Sequence, residues 1–144
     1  MRHVYHDGGR SASGYKGTAG DCGTRAIAIA TGRPYQWVYD RLNELAKLER
    51  TGKRKRGVSN ARTGIYKVTM HALMAELGWK WVATMGIGTG CKVHMRAAEL
   101  PAGRLIVNLS RHYAAVIDGV LYDNHDCTRL GTRCVYGYWQ EPTA

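Results

Sequence analysis

A chain of 144 residues that is 44% hydrophobic and 22% charged has the make-up of one globular domain and can bury a core without staples. It has no apolar run near the roughly 18–20 residues that cross a bilayer, and its first residues (Met1-Arg2-His3-Val4-Tyr5-His6-Asp7) hold no apolar leader core, so the expectation is a cytoplasmic protein with no membrane partner. The net charge of +10 favours an anionic partner such as nucleic acid or an acidic protein, and Cys22, Cys91, Cys127 and Cys134 are expected as reduced thiols.

Residues 1–20 are rich in Gly, Ser and Thr and read as an extended, loop-rich arm. A helix over 22–31 follows, with Asp21 as N-cap and Gly32 as its stop. The Ala26, Ile27, Ala30 spacing gives it a narrow face that packs closely on a sheet. Pro34 suits the first turn of a second helix, 34–48, with Val38, Leu42, Leu45 and Leu48 on one face. Tyr35, Trp37 and Tyr39 are expected to pack in the core rather than to stack on bases. Residues 49–64 form a basic, mobile loop. A third helix over 65–77 carries Met70, Leu73, Met74 and Leu77 on one face and ends at Gly78. Beyond it the pattern turns to strands: 79–84, 104–109, 112–117, 120–122 and 134–139, with a short helix or turn at 95–100. Asp118-Gly119 is a two-residue hairpin signal. Helices followed by strands indicate a single α+β domain, its helical half packed on a C-terminal antiparallel sheet.

The chemistry centres on Gly20-Asp21-Cys22-Gly23. A thiol in the first turn of a helix is acidified by unpaired backbone N–H groups and the helix dipole. A free cysteine is ordinarily an inert small hydrophobe, so the reading of Cys22 as nucleophile depends on partners. His112, at a strand start, is positioned to act as base. Asp123 ends the strand paired with it, and a tight turn at Asp118-Gly119 sets residues near 113 and 123 side by side, so Asp123 can orient the His112 ring. Asn124 and Asp126 can play the same part.

The segment Asp21-Cys22-Gly23-x-x-Ala26 is similar to the helix start of bacteriocin-processing and related papain-like cysteine peptidases. His112-Tyr113-Ala114-Ala115-Val116 resembles their His-Tyr/Phe-x-x-Val strand. Gly119–Asp126 resembles the ending of small phage and bacterial proteins of that group, and the likeness spans roughly residues 8–139. The resemblance implies a papain-like fold and hydrolysis of a peptide or isopeptide-type bond in a protein or peptide substrate by a phage or bacterial protein, without a cofactor. Such peptidases commonly place an oxyanion-stabilising Gln six positions before the cysteine. Here that position is Lys16, which leaves the Cys22 N–H with Lys16 or Thr18 as the donors.

Two further patterns compete. Cys91-x-x-His94 with His125, Cys127 and Cys134 offers an irregular zinc set, against which four ordinary thiols and no metal are expected. Lys53-Arg54-Lys55-Arg56 is the densest basic cluster and suits phosphate contacts, although charge runs are usually solvated loops. The alternative to a hydrolase is therefore an inactive papain-like module that binds nucleic acid or a host protein through this basic surface.

Overall fold

The computed structural model describes residues 1–53 and 57–142. Three helices, α1 (Cys22–Thr31), α2 (Tyr35–Ala46) and α3 (Lys67–Glu76), pack on a six-stranded sheet. The strands are β1 (Arg2–Tyr5), β2 (Lys80–Ala83), β3 (Arg104–Leu109), β4 (His112–Ile117), β5 (Val120–Asp123) and β6 (Gly137–Gln140), in the order β1-β5-β4-β3-β6-β2. The architecture is α+β.

Alternation along the strands divides the core into two layers. Ile106, Tyr113, Ala115 and Trp139 face the helices, while Leu105, Val107, Ala114, Val116 and Leu121 face Met95, Leu100, Cys127 and Val135 from the irregular segments on the far side. Burial of Gly23 through Ala30 without interruption makes α1 the central helix, and its small Ala and Gly residues allow that fit. It ends where Gly32 adopts φ +72° and donates its N–H to Ala28 O at 3.0 Å. The hairpin between β4 and β5 turns at Asp118 and Gly119, with φ +48° and +76°, the left-handed pair a two-residue turn requires.

Several expectations need correction. The sheet is mixed rather than antiparallel: β1, inside the expected arm, pairs in parallel with β5, Arg2 against Val120 and Tyr5 against Asp123. A four-residue edge strand carries too little alternation to stand out among loop residues. Residues 57–64 are not a loose loop end. Ser59 and Ala61 are buried, the Ser59 N–H donates to Glu49 Oε1 and the Ala61 N–H to Asn43 Oδ1, at 2.8 and 2.9 Å. Because α2 stops at Ala46, Leu48 is exposed; Trp37 lies off the buried Tyr35, Val38, Leu42 face and is covered instead by the Arg33 guanidinium, 4.5 Å from its ring centre.

The cysteines also depart from expectation. Cys91 and Cys134 form a disulfide, while Cys22 and Cys127 are free. The bridge fastens the segment after β2 to the one entering β6, beside an isolated antiparallel bridge between His94 and Cys134. It closes 43 residues of chain, which restrains the unfolded state by about 4 kcal/mol in the chain-entropy account. Reductant is therefore expected to lower the denaturation midpoint of the native protein, and a Cys91→Ser/Cys134→Ser variant to show that lower midpoint with or without reductant. A midpoint indifferent to reductant in the native protein would contradict the pairing.

Candidate active site

Cys22 opens α1. The first intrahelical bond runs from the Arg25 N–H to Asp21 O at 3.0 Å, so the amides of Cys22 and Gly23 lie ahead of the ladder, at the positive end of the helix. Asp21 does occupy the N-cap position, yet its side chain caps nothing. The carboxylate is buried and accepts hydrogen bonds from Arg25 Nη1 and, at 2.5 Å, from the Tyr35 hydroxyl; Arg10 stands 3.5 Å away. A guanidinium and a phenol outcompete the first-turn helix amides for a carboxylate held in the interior. Gly20 allows a second chain to close on the cysteine, since a Cβ there would stand 3.1 Å from Thr63 O.

His112 and Asp123 meet through strand register. Ala115 pairs with Tyr122 and Val116 with Leu121; continued, this sets Asp123 across from Ala114, diagonal to His112 on the same face. His112 Nε2 and Asp123 Oδ2 are 2.6 Å apart. Asp123 Oδ1 accepts the Asn124 N–H at 2.7 Å and lies 3.4 Å from Arg25 Nη2. With Nε2 committed to Asp123, Nδ1 is the ring nitrogen left for a thiol; Cys22 and His112 line the same cleft, and the Cys22 and Cys127 thiols both shift the ring's ionisation.

The electrostatics follow from this line of groups. Burial pushes the Cys22 thiol up, but the His112 hydrogen bond and charge, the Tyr113 N–H and Arg25 outweigh it, and the net shift is downward. Burial pushes His112 down, and hydrogen bonds to Asp123, Cys127 and Cys22 override it, raising the ring to about 11. Burial likewise opposes ionisation of Asp123, yet His112 and the Asn124 N–H hold it below its ordinary value. The three shifts share one direction: each favours the charged form of its group, the thiolate, the imidazolium and the carboxylate.

No family model, curated protein or solved structure matches the chain. The geometry alone therefore carries the assignment of roles.

Of the residues singled out in the sequence, Cys22, His112 and Asp123 come together. Asn124 and Asp126 do not take the third place: Asn124 Oδ1 faces Arg25 and His125, and Asp126 accepts from Thr128 N–H and Oγ1. Lys16 and Thr18 line a neighbouring cavity with Arg10 and Asp21, rather than the cleft of about 470 Å³ that holds Cys22. Arg10 draws that loop aside by donating to the carbonyls of Lys16 and Gly17 at 3.1 and 3.2 Å. Lys53 is exposed, and Arg54, Lys55 and Arg56 lie outside the described residues. The zinc set is dismantled by the Cys91–Cys134 bond and by His94 Nδ1, which sits 3.1 Å from Glu99. Another trio could accept a divalent cation: His112, Asp123 and His125 place ligand atoms within 4.8 Å of one another. In the structure those groups satisfy one another and Asn124.

Arg25, Tyr113 and Cys127 went unassigned in the sequence. Arg25 had a legible signal, its i,i+4 spacing from Asp21. The Tyr113 amide and the Cys127 thiol act through tertiary placement, which no spacing announces.

The shifts fix the sign of a pH experiment. An ordinary thiol of pKa about 8.5 is only about 3% ionised at pH 7. A depressed Cys22 gains its thiolate at lower pH than an ordinary thiol, and a raised His112 keeps its proton to higher pH than an ordinary histidine, so the two shifts widen the pH range in which both are charged. Iodoacetamide labelling of Cys22 is expected to show a midpoint below that of an ordinary thiol, with His112→Ala moving it upward. Equal midpoints in the native and variant proteins would contradict the pairing.

Proposed function

We propose that the protein is a papain-like cysteine hydrolase acting on a peptide or isopeptide-type bond. The observation that carries this reading is the placing of Cys22, at a helix N-terminus, in one cleft with His112, at a strand start, whose ring is hydrogen-bonded to Asp123 on the adjacent strand. Three residues far apart in sequence converge with the polarity acyl transfer needs.

In this mechanism the Cys22 thiolate attacks the carbonyl carbon and the carbonyl π electrons move to oxygen. The Cys22 N–H, at the open end of α1, is positioned to donate to that oxyanion. The His112 imidazolium gives its proton to the departing amine as the C–N bond breaks, leaving a thioester on Cys22. Water then attacks the thioester while the neutral His112 takes its proton; collapse expels the thiolate and releases the acid. Asp123 stays ionised throughout, fixing the ring orientation and stabilising the imidazolium.

A peptide library digested with the native protein and read by mass spectrometry tests the proposal. Cleavage is expected that disappears in Cys22→Ser and falls by about 10²-fold or more in His112→Ala. Cleavage that is the same in Cys22→Ser, or no cleavage of any peptide, would overturn it.

A further inference from the structure

The cleft beside Cys22 is charged in an unusual way. Its lining includes Arg25, Arg111, His112 and His125 and contains no carboxylate side chain. Arg25 is committed to Asp21 and Asp123 behind the cleft, and His112 to Asp123 and Cys22. Arg111 is different. It is exposed at the tip of the β3–β4 turn, next to the base, and among the described residues no carboxylate lies within ion-pair distance of it. Its φ of +55° is a conformation that Gly or Asn adopts more readily, so the turn carries an arginine there at a local cost. A second exposed arginine, Arg62, adjoins the lining residue Thr63.

We propose that the cleft selects a peptide segment bearing an acidic side chain or a free carboxylate beside the scissile bond, with Arg111 as the residue that binds it. A guanidinium takes a carboxylate in bidentate fashion and holds it in one geometry. The lack of any lining carboxylate leaves nothing to compete for Arg111 and nothing to receive a basic side chain, so lysine-bearing segments are disfavoured twice. The occupant is a peptide rather than a nucleic acid. Tyr113, the one Phe, Tyr or Trp of the lining, is buried with its hydroxyl bonded to Ile65 O at 3.2 Å, which leaves His125 as the one exposed ring of the lining, fewer than the successive stacking platforms a single strand uses. This specificity rests on the reading of Cys22 as the nucleophile.

The test compares charged and neutral reagents on the same thiol. Cys22 is alkylated with iodoacetate and with iodoacetamide, and with two otherwise identical chloroacetamide peptides carrying Glu or Lys next to the warhead. The expected result is a Glu-over-Lys rate ratio of about fivefold or more, and an iodoacetate-to-iodoacetamide ratio above that of a free thiol. Both should fall in Arg111→Gln and in about 0.5 M salt. Lys80→Gln, which removes the same charge three strands away on β2, should leave both unchanged. Ratios near one, or ratios that Lys80→Gln lowers as much as Arg111→Gln, would overturn the specificity while fast iodoacetamide labelling preserved the nucleophile. Protection of Cys22 by an oligothymidine and not by a Glu-containing peptide would overturn it in favour of nucleic acid. Labelling no faster than a free thiol with every reagent would remove the nucleophile, and the specificity with it.

Discussion

Arg25 is the interaction on which both fold and site depend. It is buried on the central helix with one guanidinium nitrogen on Asp21 and another on Asp123, two carboxylates that are themselves buried. Charges taken out of water are tolerated only when paired and hydrogen-bonded, and removing one partner of such a pair costs about 3–5 kcal/mol. Through this side chain the N-terminus of α1, which carries Cys22, is tied to the end of β5, which carries Asp123. The placing of Cys22 relative to His112 is thus set by an ion network as well as by apolar packing. From Arg10 and Tyr35 through Asp21, Arg25 and Asp123 to His112 and Cys22, each group neutralises or hydrogen-bonds the next.

The N-terminal strand reinforces the same point from the other side. His3 Nε2 and the His6 N–H both approach the backbone carbonyl of Asp123, at 2.9 and 3.0 Å. The residue that orients His112 is therefore held by its side chain from α1 and by its main chain from β1. A parallel edge strand contributes little to the core, yet it clamps the one residue whose displacement would free the imidazole. Fixed partners of this kind cost no reorganisation when a charge forms on the imidazole.

The sequence made much of this legible, for identifiable reasons. Helix α1 announced itself by Ala and Ile spacing and by Gly32, and its span agrees with the expected 22–31. The β4–β5 hairpin followed from Asp118-Gly119, and once that turn was placed, register brought His112 to Asp123. Other features were hidden because they depend on long-range closure. The Cys91–Cys134 bond joins loops with no periodic pattern, and compartment reasoning pointed the other way. Asp21 scored as a helix cap because local preference is what a sequence displays, whereas Tyr35 and Arg25 claim its carboxylate in three dimensions. Lys16 occupied the right position in the chain for an oxyanion donor, but Arg10 folds that loop into the adjacent cavity.

The raised ionisation of His112, held by Asp123 beside Cys22, is the property from which the chemistry follows. Nitrogen-15 NMR of the His112 ring addresses it directly, because chemical shift distinguishes a protonated from an unprotonated ring nitrogen. At pH about 8, well above the ordinary histidine value of about 6.5, both nitrogens of His112 should be protonated in the native protein, and the ring should titrate earlier in Cys22→Ser. A neutral ring at that pH, titrating near the ordinary value in both proteins, would contradict the ion pair and the nucleophile it creates.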